Sequence, residues 1–143
     1  MKKVAFVCVH NSCRSIIAEG WAKHLGQGII DAYSAGTEKY DAPKPLAIEV
    51  MEDLHIDMSH AKSKLLDQLP SDLDILITMG CGVECPFVPC KHREDWGLDD
   101  PSGGPKLGFE TTRDLIKEKV LDLIRRIENG LFDQDKPFEI HIK

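Results

Sequence analysis

A short apolar run that breaks into a loop and restarts as a helix does most to limit what this chain can fold into. Residues 3–7 (Lys3, Val4, Ala5, Phe6, Val7) read as a buried parallel strand, brief and β-rich. Residues 15–25 carry Ile16, Ile17, Trp21, Ala22 and Leu25 at helical spacing, and Gly26 and Gly28 stop the helix. Residues 29–34 read as a second strand, ending in the turn Ala35-Gly36-Thr37. Pro45 suits the first turn of a helix carrying Leu46, Val50 and Leu54. A short helix over residues 63–69 and a buried strand over residues 74–79 follow. Strands alternating with helices imply a parallel sheet.

From residue 80 to 108 the pattern fails, and Gly, Pro and three cysteines stand in a segment without periodicity. Loops that long inside a compact domain are usually functional. Trp96 within it reads as a packing anchor. Residues 112–127 form a long amphipathic helix with Leu115, Ile116, Val120, Leu123, Ile124 and Ile127 on one side, capped by Asn129-Gly130. At 143 residues the chain fits one domain, 1–131, followed by a tail, 132–143, in which Phe138, Ile140 and Ile142 alternate and to which no role is assigned. A net charge of -6 with no basic block argues against nucleic acid and anionic membrane as partners. The start MKKVAFVC turns polar at His10, so neither a secretory signal nor a membrane span fits, and a cytoplasmic location is expected.

Where the first strand gives way to the helix, Cys8-Val9-His10-Asn11-Ser12-Cys13-Arg14-Ser15 sets a thiol and a guanidinium on one loop. Loop N–H groups and the helix N-terminus supply a positive field. Arg14 offers a planar fork that matches two oxygens of a tetrahedral oxyanion, and the same field holds Cys8 as thiolate near neutral pH. One site would thus bind an anion and attack it. The plainer alternative is a buried structural Cys beside a surface Arg, but a loop leaving the C-terminal end of a first strand is where open α/β sheets bind ligands. Asn11 tolerates left-handed geometry and can brace the loop, and the Ser15 hydroxyl can donate to Cys8; either residue could equally cap the helix. Cys13 reads as a small buried space-filler and His10 as facing the site. His24, His55, His60 and His141 read as surface residues.

Cys81, Cys85 and Cys90 follow the 74–79 strand, whose C-terminal end opens on the same sheet edge as the Cys8 loop. Gly80 and Gly82 flank Cys81 and permit wide backbone movement. Five cysteines in a chain without a secretion signal favour redox, catalytic or metal roles over a disulfide scaffold. Cys81, Cys85, Cys90 and His92 could be zinc ligands, although C-x3-C-x4-C-x-H is irregular for zinc, and three unconnected thiols is the blandest reading. Pairing with the anion loop favours redox chemistry, with no metal and no cofactor. Cys81 and Cys85 one helical turn apart would hold their Cβ atoms about 5 to 6 Å apart, against about 3.8 Å in a disulfide, so oxidation would distort that turn.

The stretch VCVHNSCRS, followed by Ala18-Glu19-Gly20, Tyr33-Ser34-Ala35-Gly36-Thr37 and Asp99-Asp100-Pro101, resembles the low-molecular-weight tyrosine phosphatase fold. More closely it resembles the thioredoxin-coupled arsenate reductases that share this fold, from Lys3 to about Gly130. The resemblance implies an α/β three-layer sandwich with a central, mainly parallel four-stranded sheet flanked by helices. It implies arsenate as substrate, with phosphate or sulfate as competing oxyanions, held by Val9, His10, Asn11, Ser12, Cys13, Arg14 and Ser15. Cys8 would then be the nucleophile and Asp100 the general acid on the loop covering the site, although Asp99-Asp100-Pro101 on its own is an ordinary turn. It also implies Cys81 and Cys85 as the second and third redox thiols, Cys85-Pro86 matching the family's Cys-Pro, with Cys90 the other choice for the third, and a thioredoxin-like reductant. His10 stands where phosphatases of this fold usually carry Gly.

Two other functions fit parts of this pattern. A phosphatase would hydrolyse phosphotyrosine or a small phosphate ester through a Cys8 phosphoenzyme, but Ser102-Gly103-Gly104 stands where such phosphatases place aromatics. A metal or arsenic-binding sensor would use the cysteines as ligands, and has no use for an Asp-Pro acid or an anion-binding Arg.

Overall fold

The computed structural model describes residues 1–38, 42–80 and 88–133. Strands β1 (Lys2–Cys8), β2 (Ile30–Gly36), β3 (Leu73–Thr78) and β4 (Cys90–Asp95) form one four-stranded sheet in the order β2-β1-β3-β4, with every neighbouring pair parallel. Helices α1 (Arg14–Leu25), α2 (Pro45–Glu52) and α3 (Lys106–Glu128) complete the expected α/β architecture. Parallel strands bring their C-terminal ends to one edge, where Cys8 lies opposite Gly36 and Thr78 opposite Asp95.

The β-rich runs bury both faces of the sheet, unequally. Val4, Phe6, Ile75, Ile77 and Met79 join Ile16 and Ile17 of α1 and Ile116, Val120 and Leu123 of α3 in the main core, to which α2 adds Ala47, Val50 and Met51. Truncating a buried residue such as Ile116 to Ala costs about 2–5 kcal/mol. The other face carries a smaller cluster in which Ala5, Val7, Leu76 and Cys90 meet Leu66, Leu69 and Val88.

Several expectations are corrected. Residues 63–69 do not form a helix beyond a 3-10 turn at Leu66–Gln68. The backbone just before that turn is committed elsewhere: Lys64 donates its N–H to Asn11 and accepts one from Gly36, both at 2.8 Å. The patternless segment contains β4, whose sequence CKHRED hides a strand because it lies at the sheet's edge, where charged side chains are tolerated and discourage further pairing. α3 starts at Lys106, six positions before the expected 112, after Pro105 at the N-cap, and thereby buries Phe109. Leu115, expected on the buried side of that helix, is 52% exposed.

Cys90, expected on an irregular segment, opens β4 and is buried. His60, expected at the surface, is half-buried, and burial together with Lys23 pushes its pKa down. Trp96 is the anchor expected, with its ring 5.6 Å from that of Phe6 and Nε1 donating to Glu94 at 2.8 Å. Cys81, Gly82 and Cys85 lie outside the described residues, as do Phe138, Ile140, His141 and Ile142 of the tail. Among the described residues no helix is long and apolar enough to cross a membrane.

Candidate active site

The loop from Cys8 to Arg14 is held from outside by its own carbonyls. Cys8 O accepts from Thr37 N–H at 3.2 Å, Val9 O from Glu38 N–H at 2.8 Å, Asn11 O from the Ser63 hydroxyl at 2.8 Å and Ser12 O from Lys44 N–H at 2.7 Å. With these carbonyls taken up by partners outside the loop, its N–H groups are the backbone atoms left to receive an anion. Asn11 makes the sharp step with φ of 53°. Gly36 allows β2 to end directly beneath this loop, because a Cβ there would come within 2.7 Å of His10 C and Val9 O.

Ser15 connects the brace to the nucleophile. Lys64 N–H donates to Asn11 Oδ1 at 2.8 Å, which fixes the amide so that Nδ2 donates to Ser15 Oγ at 2.8 Å. The hydroxyl proton of Ser15 is then free to point at Cys8 Sγ, also 2.8 Å away, and to support a sulfur anion. Cys8 is only 4% exposed.

Arg14 is buried, and its Nη1 donates to two carbonyls, Met79 O at 3.0 Å and Leu98 O at 2.7 Å. Its Nη2 lies 3.8 Å from Asp100 Oδ2, the carboxylate of a half-exposed side chain. Burial pushes the Asp100 carboxyl up, but the Ser102 N–H and hydroxyl, with Arg14 and Lys44, outweigh it and hold its pKa below the ordinary value. Asp100 is therefore ionised at neutral pH, and an oxyanion bound beside Arg14 would oppose Arg14's effect on it. Cys13 is the N-cap residue of α1, and burial, Asp100 and Cys8 push its thiol up to about 12, against Arg14 and Ser102. It stays a neutral thiol.

The structure thus brings Cys8, Asn11, Cys13, Arg14, Ser15 and Asp100 together. His10 sits at the rim with its Nε2 3.2 Å from Glu38 Oε2. Cys90 is not brought in: it starts the strand that Asp95 ends, about 16 Å from the edge carrying Cys8. Sequence reasoning missed Ser63, Lys64, Gly36 and Glu19. The buried Glu19 accepts from the Ser34 hydroxyl and pairs with Lys23 at 3.2 Å and Lys64 at 3.5 Å, linking α1, β2 and the strap at residue 64. The segments Ala18-Glu19-Gly20 and Ser34-Ala35-Gly36 contained that link; their spacing alone gave no hint of the contact. Among the described residues no group of three or more His, Cys, Asp or Glu converges as a metal site.

Known proteins are similar to this chain over most of its length. A relative from Synechocystis, named glutaredoxin arsenate reductase, is 44% identical over 131 residues, covering 89% of this chain and 99% of that protein. A solved structure described as an arsenate reductase in the phosphate binding state superposes with a TM-score of 0.81 at 44% identity, over 89% of this chain and 99% of that one. A thioredoxin-dependent arsenate reductase of Corynebacterium glutamicum superposes with a TM-score of 0.75 at 30% identity, covering 91% of this chain and 63% of that one. Residues 3–131 match the family described as low molecular weight phosphotyrosine protein phosphatase, and the chain belongs to that family.

Proposed function

We propose that the chain reduces arsenate to arsenite by a thiol relay that starts at Cys8. The observation that carries this reading is a thiol 2.8 Å from the Ser15 hydroxyl, in the same loop as a buried guanidinium with no carboxylate in hydrogen-bond range among the described residues. Arg14 and the loop N–H groups hold the oxyanion, and Cys8 Sγ attacks arsenic. An S–As bond forms and an As–O bond breaks; Asp100, which takes up a proton as the oxyanion binds beside Arg14, passes that proton to the departing oxygen so that water leaves. Cys81 thiolate then attacks Cys8 Sγ. The S–S bond forms as the S–As pair returns to arsenic, so two thiols are oxidised and As(V) becomes As(III).

Cys85 next attacks Cys81, frees Cys8 as thiolate and leaves a disulfide for a thioredoxin-like dithiol to reduce. Cys85 is preferred over Cys90 as this third thiol, because Cys90 is buried at the far end of β4. Phosphate and sulfate share the tetrahedral anionic shape and compete for the loop. Support for the substrate comes from relatives named arsenate reductases across nearly their whole length. The names of such relatives point to two kinds of reductant, glutaredoxin and thioredoxin.

The deciding assay measures arsenate turnover with thioredoxin and its reductase, in parallel with glutaredoxin and glutathione, beside hydrolysis of an aryl phosphate. Turnover with either reductant, exceeding ester hydrolysis, is expected. Robust ester hydrolysis without arsenite release would overturn the reading in favour of a phosphatase. Cys81→Ser should stop multiple turnover, since arsenite release needs a second thiol. Cys85→Ser should allow one turnover and trap a Cys8 to Cys81 disulfide, visible by peptide mass mapping.

A further inference from the structure

β3 and β4 end side by side, and a single carboxylate bridges them. Asp95 Oδ1 accepts from the Thr78 hydroxyl at 2.6 Å and from Gly80 N–H at 2.8 Å, while Oδ2 accepts from Gly97 N–H at 3.1 Å. Gly80 is not the free hinge its identity suggests. Its φ is +79°, and a Cβ on it would lie 2.5 Å from Gly97 Cα and from Leu98 N, so glycine is demanded by close packing. The residue before it, Met79, gives its carbonyl to Arg14; the residue after it in sequence is Cys81. Leu98, next to Gly97, supplies the other carbonyl to Arg14.

We propose that Asp95 is a positioning residue for the thiol relay: by pinning Gly80 against Gly97, it fixes the point from which the chain bearing Cys81 departs beside the anion loop. This rests on the reading of Cys81 as the second thiol. Arg14 keeps both of its carbonyls without Asp95, because backbone bonds Trp96 N–H to Thr78 O at 2.8 Å and Leu98 N–H to Met79 O at 3.2 Å hold the same two strand ends together. Gly80 N–H has no such backbone partner among the described residues, and Asp95 is the group that holds it. Loss of the carboxylate should therefore loosen the start of the relay segment and leave the anion loop intact. Attack of one thiol on another within a chain is sensitive to such placement, through effective concentration.

The test compares wild type, Asp95→Ala and Asp95→Asn in a single turnover without reductant, following arsenite release and formation of the Cys8 disulfide. Inorganic phosphate affinity and the rate of Cys8 alkylation by iodoacetamide report the anion loop separately. Asp95→Ala should slow arsenite release about tenfold or more while both loop readouts stay within about twofold. Asp95→Asn keeps an oxygen acceptor for Gly80 and should restore most of the rate. Asp95→Ser, too short to reach Gly80, stands in if the alanine variant does not fold. An unchanged release rate, a parallel fall in phosphate affinity and alkylation, or an asparagine variant as slow as alanine would each overturn the proposal. Cys81→Ser, run alongside, separates the two layers: if it releases arsenite at the wild-type rate, the relay reading fails whatever Asp95 does.

Discussion

Two of the arginines drawn in from water, Arg14 and Arg126, meet opposite fates. Arg126, on α3, makes a bidentate pair with Glu94 of β4, at 2.8 and 2.9 Å, and a second ion pair with Asp122 at 3.0 Å. Arg14 is more deeply buried, yet its short contacts are to neutral carbonyls, and the nearest carboxylate among the described residues, Asp100, stands off at 3.8 Å. The first cation is neutralised and holds α3 to the sheet's edge strand. The second is oriented by carbonyls and, among the described residues, meets a carboxylate only through the longer contact to Asp100, so part of its attraction for an incoming anion survives folding. Burying a cation in this way is costly, and the helix start and loop N–H groups add to the positive field instead of relieving it. The lesson is that the residues around a charge, more than its burial, distinguish a binding site from a structural bridge.

The sharpest way to break this contrast is Arg14→Lys. A point charge cannot keep two carbonyl bonds and also present a planar fork, so kcat/KM for arsenate should fall by about 10²-fold to 10³-fold with the unfolding midpoint little changed. Near-normal turnover at subsaturating arsenate would remove Arg14 from the site. Asp100→Asn comes next. It removes the proton donor and should slow the single-turnover step by about 10²-fold. Because it also removes a negative charge 3.8 Å from Arg14, phosphate binding should hold or tighten. Weaker phosphate binding in that variant would mean that Asp100 shapes the loop instead of delivering a proton.

How much of this was legible in the sequence differs by layer. The parallel strands and α1 were readable because Val4 to Val7 and Ile75 to Ile77 are buried on both faces and leave a clear apolar signature. β4 was not, since Cys90–Asp95 is an edge strand whose Glu94 is matched by Arg126 from a helix far along the chain. Cys8, Arg14 and Ser15 could be picked out because their chemistry is local to one loop. The brace could not: Ser63 and Lys64 reach Asn11 from more than fifty positions away, and a helical pattern over 63–69 pointed to the wrong local structure. Gly80 was misjudged for the same reason, because Gly97, which demands it, is a neighbour only in space.

The structural arginine supplies the complementary test, in stability rather than rate. Burial pushes the Glu94 carboxyl up, but bonds from Arg126, Trp96 and His92 hold it down to about 2, against an ordinary value of 4.5. A carboxylate lowered on folding contributes stability that is present above pH of about 4.5 and lost as pH falls toward about 2. Glu94→Gln should therefore lower stability by about 2 kcal/mol at neutral pH. The gap to wild type should narrow in acid denaturation curves over that window. Activity per folded molecule should not move. A loss of kcat at constant fold would mean that the two arginine sites are coupled.

The smallest effect is expected at Cys13, which lies inside the loop yet takes no part in its chemistry. Its thiol is pushed up to about 12, chiefly by burial, so at neutral pH it is neither a nucleophile nor a charge that Arg14 must balance. Cys13→Ala should leave kcat/KM within about twofold and cost about 1 kcal/mol of stability for the lost packing of a small buried side chain. The discriminating measurement is alkylation by iodoacetamide followed by peptide mapping: label should appear on Cys8 and not on Cys13 in the wild type, and the rate at Cys8 should be the same in the variant. Labelling of Cys13 at neutral pH would show that the positive field of Arg14 reaches that thiol as well. The loop would then hold two competing anions, and the idea that the loop keeps the charge of Arg14 for substrate would fall with it.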